Sequence, residues 1–278
     1  MLTSMTLVSR NRLFLLLFVL AVAFIITTTG IFIMSLTRGG LLVPQNSQPL
    51  FHIPQVPLLA VNFFAAVLSA MVLTLYSPVV LGIALVNFEK TRSPEIIFFS
   101  LFAFGCLFEG IRIWLLVLDL WANNSLYIFV GRLLFFGRAL AVVNLVALAL
   151  LSLELENKQN IEMNLLIVVS LAALLARLMP IDTLVIPSSY SIRFGYEKMF
   201  LMVAAVTTAA GFLAMLHQGH NLDSREYLRV SLGFLLLSYG YLLLTQSDCL
   251  LALSGGTILI TAGSGIFLLN LHRFHKWK

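Results

Sequence analysis

Charge is scarce in this chain. Only 10% of its 278 residues are Asp, Glu, Lys or Arg, and 60% are hydrophobic. A soluble domain carries about a quarter charged residues, so with a mean hydropathy of +1.00 an ordinary soluble globule is excluded. Cysteine is scarce too. Cys106 falls inside an apolar run and Cys249 near the end of one, which excludes a disulfide framework and leaves both as small packing residues. The usual catalytic signatures are missing: there is no H-E-x-x-H, G-x-S-x-G or G-x-x-x-x-G-K-[ST]. No lysine falls inside an apolar run, against a retinal Schiff base, and no paired mid-run histidines occur, against a haem held between helices. Ser254, beside Gly255 and Gly256, has no histidine at a similar depth and reads as packing.

What the chain has in abundance is long apolar runs. Eight are long enough to cross a hydrocarbon layer of roughly 30 Å at about 1.5 Å per residue: Leu13–Leu36, Pro57–Phe88, Ile96–Leu120, Leu126–Leu151, Met163–Met179, Met199–His217, Tyr227–Leu244 and Leu250–Leu271. The expected fold is an all-α polytopic bundle of eight transmembrane helices, a single integral-membrane helical domain over 1–278 with no soluble domain. The first run has a basic start but is too long for a signal-peptide core and lacks a small-x-small cleavage site, so it reads as a retained anchor. The second is about 48 Å long if straight, and Pro78 is expected to kink or break it. Pro44, Pro49 and Pro54 predict an extended path for the outer loop after the first run.

Lys and Arg sort by side. With the N-terminus inside, ten fall on inner segments and span edges (Arg10, Arg12, Lys90, Arg92, Lys158, Arg225, Arg229, Arg273, Lys276, Lys278), and three outside (Arg38, Arg193, Lys198). That bias places both termini in the cytoplasm. The net charge of +5 therefore speaks for anionic headgroups and not for nucleic acid. Short, compact loops are expected of a multi-pass protein of a bacterial inner membrane.

Ionisable residues deep within spans raise a functional hypothesis by default. Glu109, Arg112, Arg132 and Arg138 qualify, with Asp119 near the outer boundary and Arg177 close enough to Pro180 to snorkel outward. The link Trp121–Ser125 is so short that the third and fourth spans are antiparallel neighbours. Counting inward by helix rise puts Glu109 roughly 17 Å deep, Arg138 roughly 18 Å, Arg112 roughly 12 Å and Arg132 roughly 9 Å. Glu109, Arg112, Arg132 and Arg138 are thus the candidate cluster. It is either an ion-pair set that pins the two spans or, since three arginines face two acids, a site for an anionic small molecule or lipid headgroup between them. A weaker candidate is a metal site at His217, His220 and Asp223, in the string HQGHNLD, with His272 and His275 on the same side; histidines three apart share a helix face. Interfacial contact with headgroups is the competing reading.

Small residues in Ala204–Gly211, Ser254–Gly256 and Ala262–Gly265 predict that the sixth and eighth spans touch. Tyr190, Tyr196, Trp121 and Trp277 are expected at interfaces, with Trp114 deeper. In architecture alone, the layout is similar to the multi-helix membrane sensor modules of bacterial kinases and cyclases. The function expected from all this is a non-enzymatic sensing or scaffolding module that works with another membrane or cytoplasmic protein and needs no cofactor. A small transporter or permease subunit, with the charges lining a pathway, and an integral-membrane lipid-modifying enzyme are the alternatives.

Overall fold

The computed structural model describes residues 7–37, 57–89, 93–153 and 161–276; the loop prolines 44, 49 and 54 and Trp277 lie outside them. The chain is a bundle of helices: α1 (Leu7–Thr37), α2 (Phe63–Asn87), α3 (Glu95–Leu107), α4 (Ile111–Val117), α5 (Asn124–Leu153), α6 (Ile161–Leu178), α7 (Glu197–Asn221), α8 (Arg225–Thr245) and α9 (Leu250–Lys276). With α3 and α4 counted as one run, eight helices among the described residues are long and apolar enough to cross a membrane. That is the expected all-α polytopic architecture, and its even count puts the start of α1 and the end of α9 on one face.

Local chemistry sets the boundaries. The second span is shorter than its apolar run. A single 3-10 turn, Pro57–Leu59, precedes it, and Asn62 then caps α2 by accepting from the Phe64 N–H at 2.9 Å. The helix runs on through Pro78 without ending, so the excess length is lost at its start and not at the proline. Ser224 caps α8 by accepting from the Tyr227 N–H at 3.3 Å. The third span is interrupted: α3 and α4 are joined by a 3-10 turn, Phe108–Gly110, with Glu109 at its centre.

Every residue of α3 except Phe104 is buried, which makes it the central strut, packed on α2 and α5. The closeness to α5 depends on Gly105, where a Cβ would stand 2.8 Å from the Gly137 carbonyl oxygen. The most extensive pairing is α8 with α9. Here Gly233 and Gly240 face Gly256 and Gly263; a Cβ on Gly240 would lie 2.5 Å from the Ile260 nitrogen, and one on Gly233 2.7 Å from that of Phe267. The sixth and eighth spans, α7 and α9, are therefore not the partners expected from their small residues. α8 stands between them, and Gly211 of α7 faces Ala149 of α5 and Phe234 of α8 instead. By contrast α1, α6 and α7 present broad apolar faces outward, such as Ile26, Leu166 and Met202.

One element departs from a simple bundle. The connection between α6 and α7 forms a short antiparallel hairpin, β1 (Ile181–Asp182) with β2 (Arg193–Phe194). Between the two strands, residues Pro187 to Ile192 (PSSYSI) are all buried. Tyr190, expected at the interface, sits inside with its ring 5.1 Å edge-on to Phe63.

Candidate functional site

Glu109 and Arg138 form the centre of the site. Glu109 is lifted into position by the 3-10 turn, and Arg138 reaches it from α5, donating from Nε to Oε1 at 2.7 Å and from Nη2 to Oε2 at 3.1 Å. Both are buried. This two-pronged geometry suits a planar guanidinium and carboxylate. Arg112 completes the group, its Nη1 at 3.6 Å from Glu109 Oε2.

The remaining partners come from the buried loop and the ends of neighbouring helices. Arg112 donates through Nε to the Ser189 carbonyl at 3.1 Å, with Nη2 on the same oxygen. It also reaches Ser69 Oγ at 3.3 Å, the Ala66 carbonyl at 3.2 Å and the Leu244 carbonyl at 3.5 Å. Arg138 donates to Ser191 Oγ at 2.8 Å and the Thr245 carbonyl at 3.3 Å, and pairs with Glu197 at 3.7 Å. Ser188 Oγ donates to Asp248 Oδ2 at 2.5 Å, while the Asp248 carbonyl accepts from the Asn62 N–H at 2.8 Å. A loop of polar backbone inside a bundle carries groups that lose water. Here the two arginines and Asp248 replace that water. Tyr190, in the left-handed region at φ 51°, is held there by the packing, a conformation that costs a non-glycine residue of order 1–3 kcal/mol.

The cluster is thus neither as composed nor as charged as the sequence implied. Arg132 is exposed, as is Asp119, and neither joins it. Glu197 and Asp248 enter in their place, so two guanidinium groups meet three carboxylates, and the expected surplus of positive charge disappears. Both guanidiniums spend their donors on protein acceptors. Ser188, Ser189, Ser191, Ser69 and Thr245 were not among the sequence candidates. The loop serines were signalled only by the polar run SSYS and Asp248 only by the short QSDC link, both at span ends where polar residues are ordinary, while Ser69 and Thr245 are single polar residues of apolar helices.

Beside Arg138 lies a cavity of about 10 Å³, lined by Glu197, Tyr241, Thr245 and Gln246 among others, room for about one water. Outside it is an open groove of about 500 Å³ at the hairpin, lined by Val185, Pro187, Arg193, Phe194, Glu197 and Lys198 with their neighbours. Phe194, Glu197 and Leu201 belong to both. Glu197 therefore stands between the open groove and the buried arginine.

The histidine candidates do not converge. His217, His220 and Asp223 are exposed, His217 Nε2 lies 3.1 Å from Asn221 Nδ2, and Asp223 sits past the helix end at φ 47°. Among the described residues no group of three or more His, Cys, Asp or Glu is gathered as a metal set. His275 instead lies 3.5 Å from buried Glu95, whose other neighbour is Ser93 Oγ, donating at 2.7 Å. Nearby, Arg10 donates to the carbonyls of Phe88 at 2.6 Å and Glu89 at 2.9 Å, and together these contacts tie the neighbouring ends of the first three spans and α9. Arg177 is exposed, Cys106 and Cys249 are buried free thiols, and Trp114 donates to Thr28 Oγ1 at 3.0 Å. No family model matches the chain, and no curated protein or solved structure does either.

Proposed function

We propose that this protein is a non-enzymatic sensing or scaffolding module of a bacterial inner membrane, acting with a partner protein. The observation that carries the reading is the position of Glu197, which lines the outer groove and pairs with Arg138. A ligand or partner segment seated in the groove would compete for Glu197. Its effect would pass through Arg138 to Glu109 and the loop, and so to α3, α5 and α8. The groove also carries Arg193 and Lys198, both exposed, so an anionic occupant fits there better than between the third and fourth spans, where the guanidinium donors are already engaged.

Transport through the cluster has less support, since a cavity of about 10 Å³ passes nothing larger than water. Lipid modification has less still, because the histidines it would use stand apart. The test uses the full chain carrying Ser189→Cys, against a background in which Cys106 and Cys249 are buried. Arg138→Leu and Glu197→Gln are expected to free the loop, so that Cys at 189 reacts with a membrane-impermeant maleimide, and to change the set of proteins that co-purify after cross-linking. A freed loop with an unchanged set of partners would overturn the reading.

A further inference from the structure

A second groove opens at the opposite face of the bundle, the one that carries both chain ends, between α8 and α9. Its volume is about 510 Å³. Leu228 and Leu232 of α8 and Ile266 and Leu269 of α9 line it, and Arg229 and Arg273 close its rim. The register explains why. Ile266, Leu269 and Arg273 recur at helical spacing on one face of α9, while Arg229, five residues into α8, meets Arg273, three residues short of the end of antiparallel α9.

Three features separate this groove from the rest of the lipid-facing surface. First, both arginines are exposed, and neither has an ion-pair partner among the described residues. Second, no Asp or Glu lines it, in contrast to the outer groove with Glu197; the nearest acid in the helix, Glu226, is held by the Ser224 hydroxyl at 3.2 Å. Third, the polar lining residue Asn270 spends its amide on the Ile266 carbonyl at 2.7 Å, which leaves the walls apolar to the height of the arginines. Two forked guanidiniums at the rim of an apolar trough, near the ends of two candidate spans, match a phosphate above an acyl chain.

We infer that the α8–α9 groove binds an anionic phospholipid of the inner leaflet, its phosphate held by Arg229 and Arg273 and one acyl chain lying along Leu232, Ile266 and Leu269. Each basic residue near a membrane surface contributes about 1 kcal/mol toward an anionic lipid, so the pair predicts a preference of about thirtyfold for phosphatidylglycerol over phosphatidylcholine.

The experiment measures lipid occupancy of the purified full chain by native mass spectrometry after exchange into mixed phosphatidylglycerol and phosphatidylcholine, with thermal stability in parallel. The wild type should retain phosphatidylglycerol selectively. R229Q/R273Q should lose that selectivity while keeping its fold, and Leu232→Trp, which fills the trough without changing charge, should lower occupancy as well. R132Q/R177Q, which removes the same charge from exposed positions that line neither groove, should leave it unchanged. Selectivity that survives R229Q/R273Q overturns the proposal. So does equal loss in R132Q/R177Q, which would mark a general surface-charge effect, and so does full occupancy in Leu232→Trp. None of these outcomes depends on the outer groove or on a partner protein.

Discussion

Truncating Arg138 to leucine leaves Glu109, which is buried, without its two-pronged partner. Removing one member of a buried pair costs about 3–5 kcal/mol, whereas replacing both by apolar residues of similar size is close to neutral. Arg138→Leu is therefore expected to lower the denaturation midpoint in detergent sharply, and the double change Glu109→Leu with Arg138→Leu to restore most of it. If the double variant is as unstable as the single one, the pair is not the main electrostatic link. A milder change, Ser191→Ala, removes a 2.8 Å acceptor of Arg138 and should cost about 1 kcal/mol in the same assay. At this scale Glu109, Arg112 and Arg138 were legible because charge stands out in an apolar run. Arg132 was misplaced because counting residues fixes height and not direction around the axis. It lies six residues from Arg138, which turns it about 120° away at 3.6 residues per turn, onto the exposed side.

Between elements, the α8–α9 seam turns on four glycines set seven residues apart on each helix, Gly233 and Gly240 against Gly256 and Gly263. Gly240→Leu would drive a side chain into the backbone at Ile260 and should split the pair, lowering stability by several kcal/mol, as overpacking and helix separation together cost. Gly255 and Gly265 have nothing within 4 Å of an added Cβ, so Gly255→Ala and Gly265→Ala should leave the melting temperature unchanged or raised. A scan of glycine-to-alanine variants by thermal unfolding separates the two classes. The small residues of α9 were visible in the sequence, but their partner was misjudged. The seventh span has few small residues, and its two glycines counted for little until their matched spacing placed them on one seam.

Across the whole molecule, the number and length of the apolar runs suffice for the bundle and for a common face shared by the start of α1 and the end of α9. What stayed hidden was the inward course of residues 187–192, since a loop that returns into the bundle looks, in one dimension, like any polar outer link. Cysteine labelling tests the arrangement directly. A cysteine at Leu184, 91% exposed on the hairpin, should react with a membrane-impermeant maleimide added to intact cells. One at His217 should react only after the membrane is opened, and one at Ser189 in neither case. Labelling of His217→Cys from outside would invert the topology. Disagreement at Ser189 alone would remove the buried loop while leaving the bundle intact.

The loop's burial also dictates an order of events during biosynthesis. Arg112 takes its carbonyl partner from Ser189, 77 residues later, and Ser188 takes Asp248, a further 60 residues on. At a synthesis rate of about 5–20 residues per second, Arg112 enters the membrane roughly 4 to 15 s before Ser189 exists. Glu109 and Arg138 are made within 29 residues of each other and can neutralise one another as the third and fourth spans enter. The hairpin that follows completes its contacts only when the end of α8 and the link to α9 have been made. A nascent chain stalled before residue 180 thus holds an arginine that has Ala66, Ser69 and Glu109 but still awaits the Ser189 and Leu244 carbonyls, and the seating of the loop completes its set of partners.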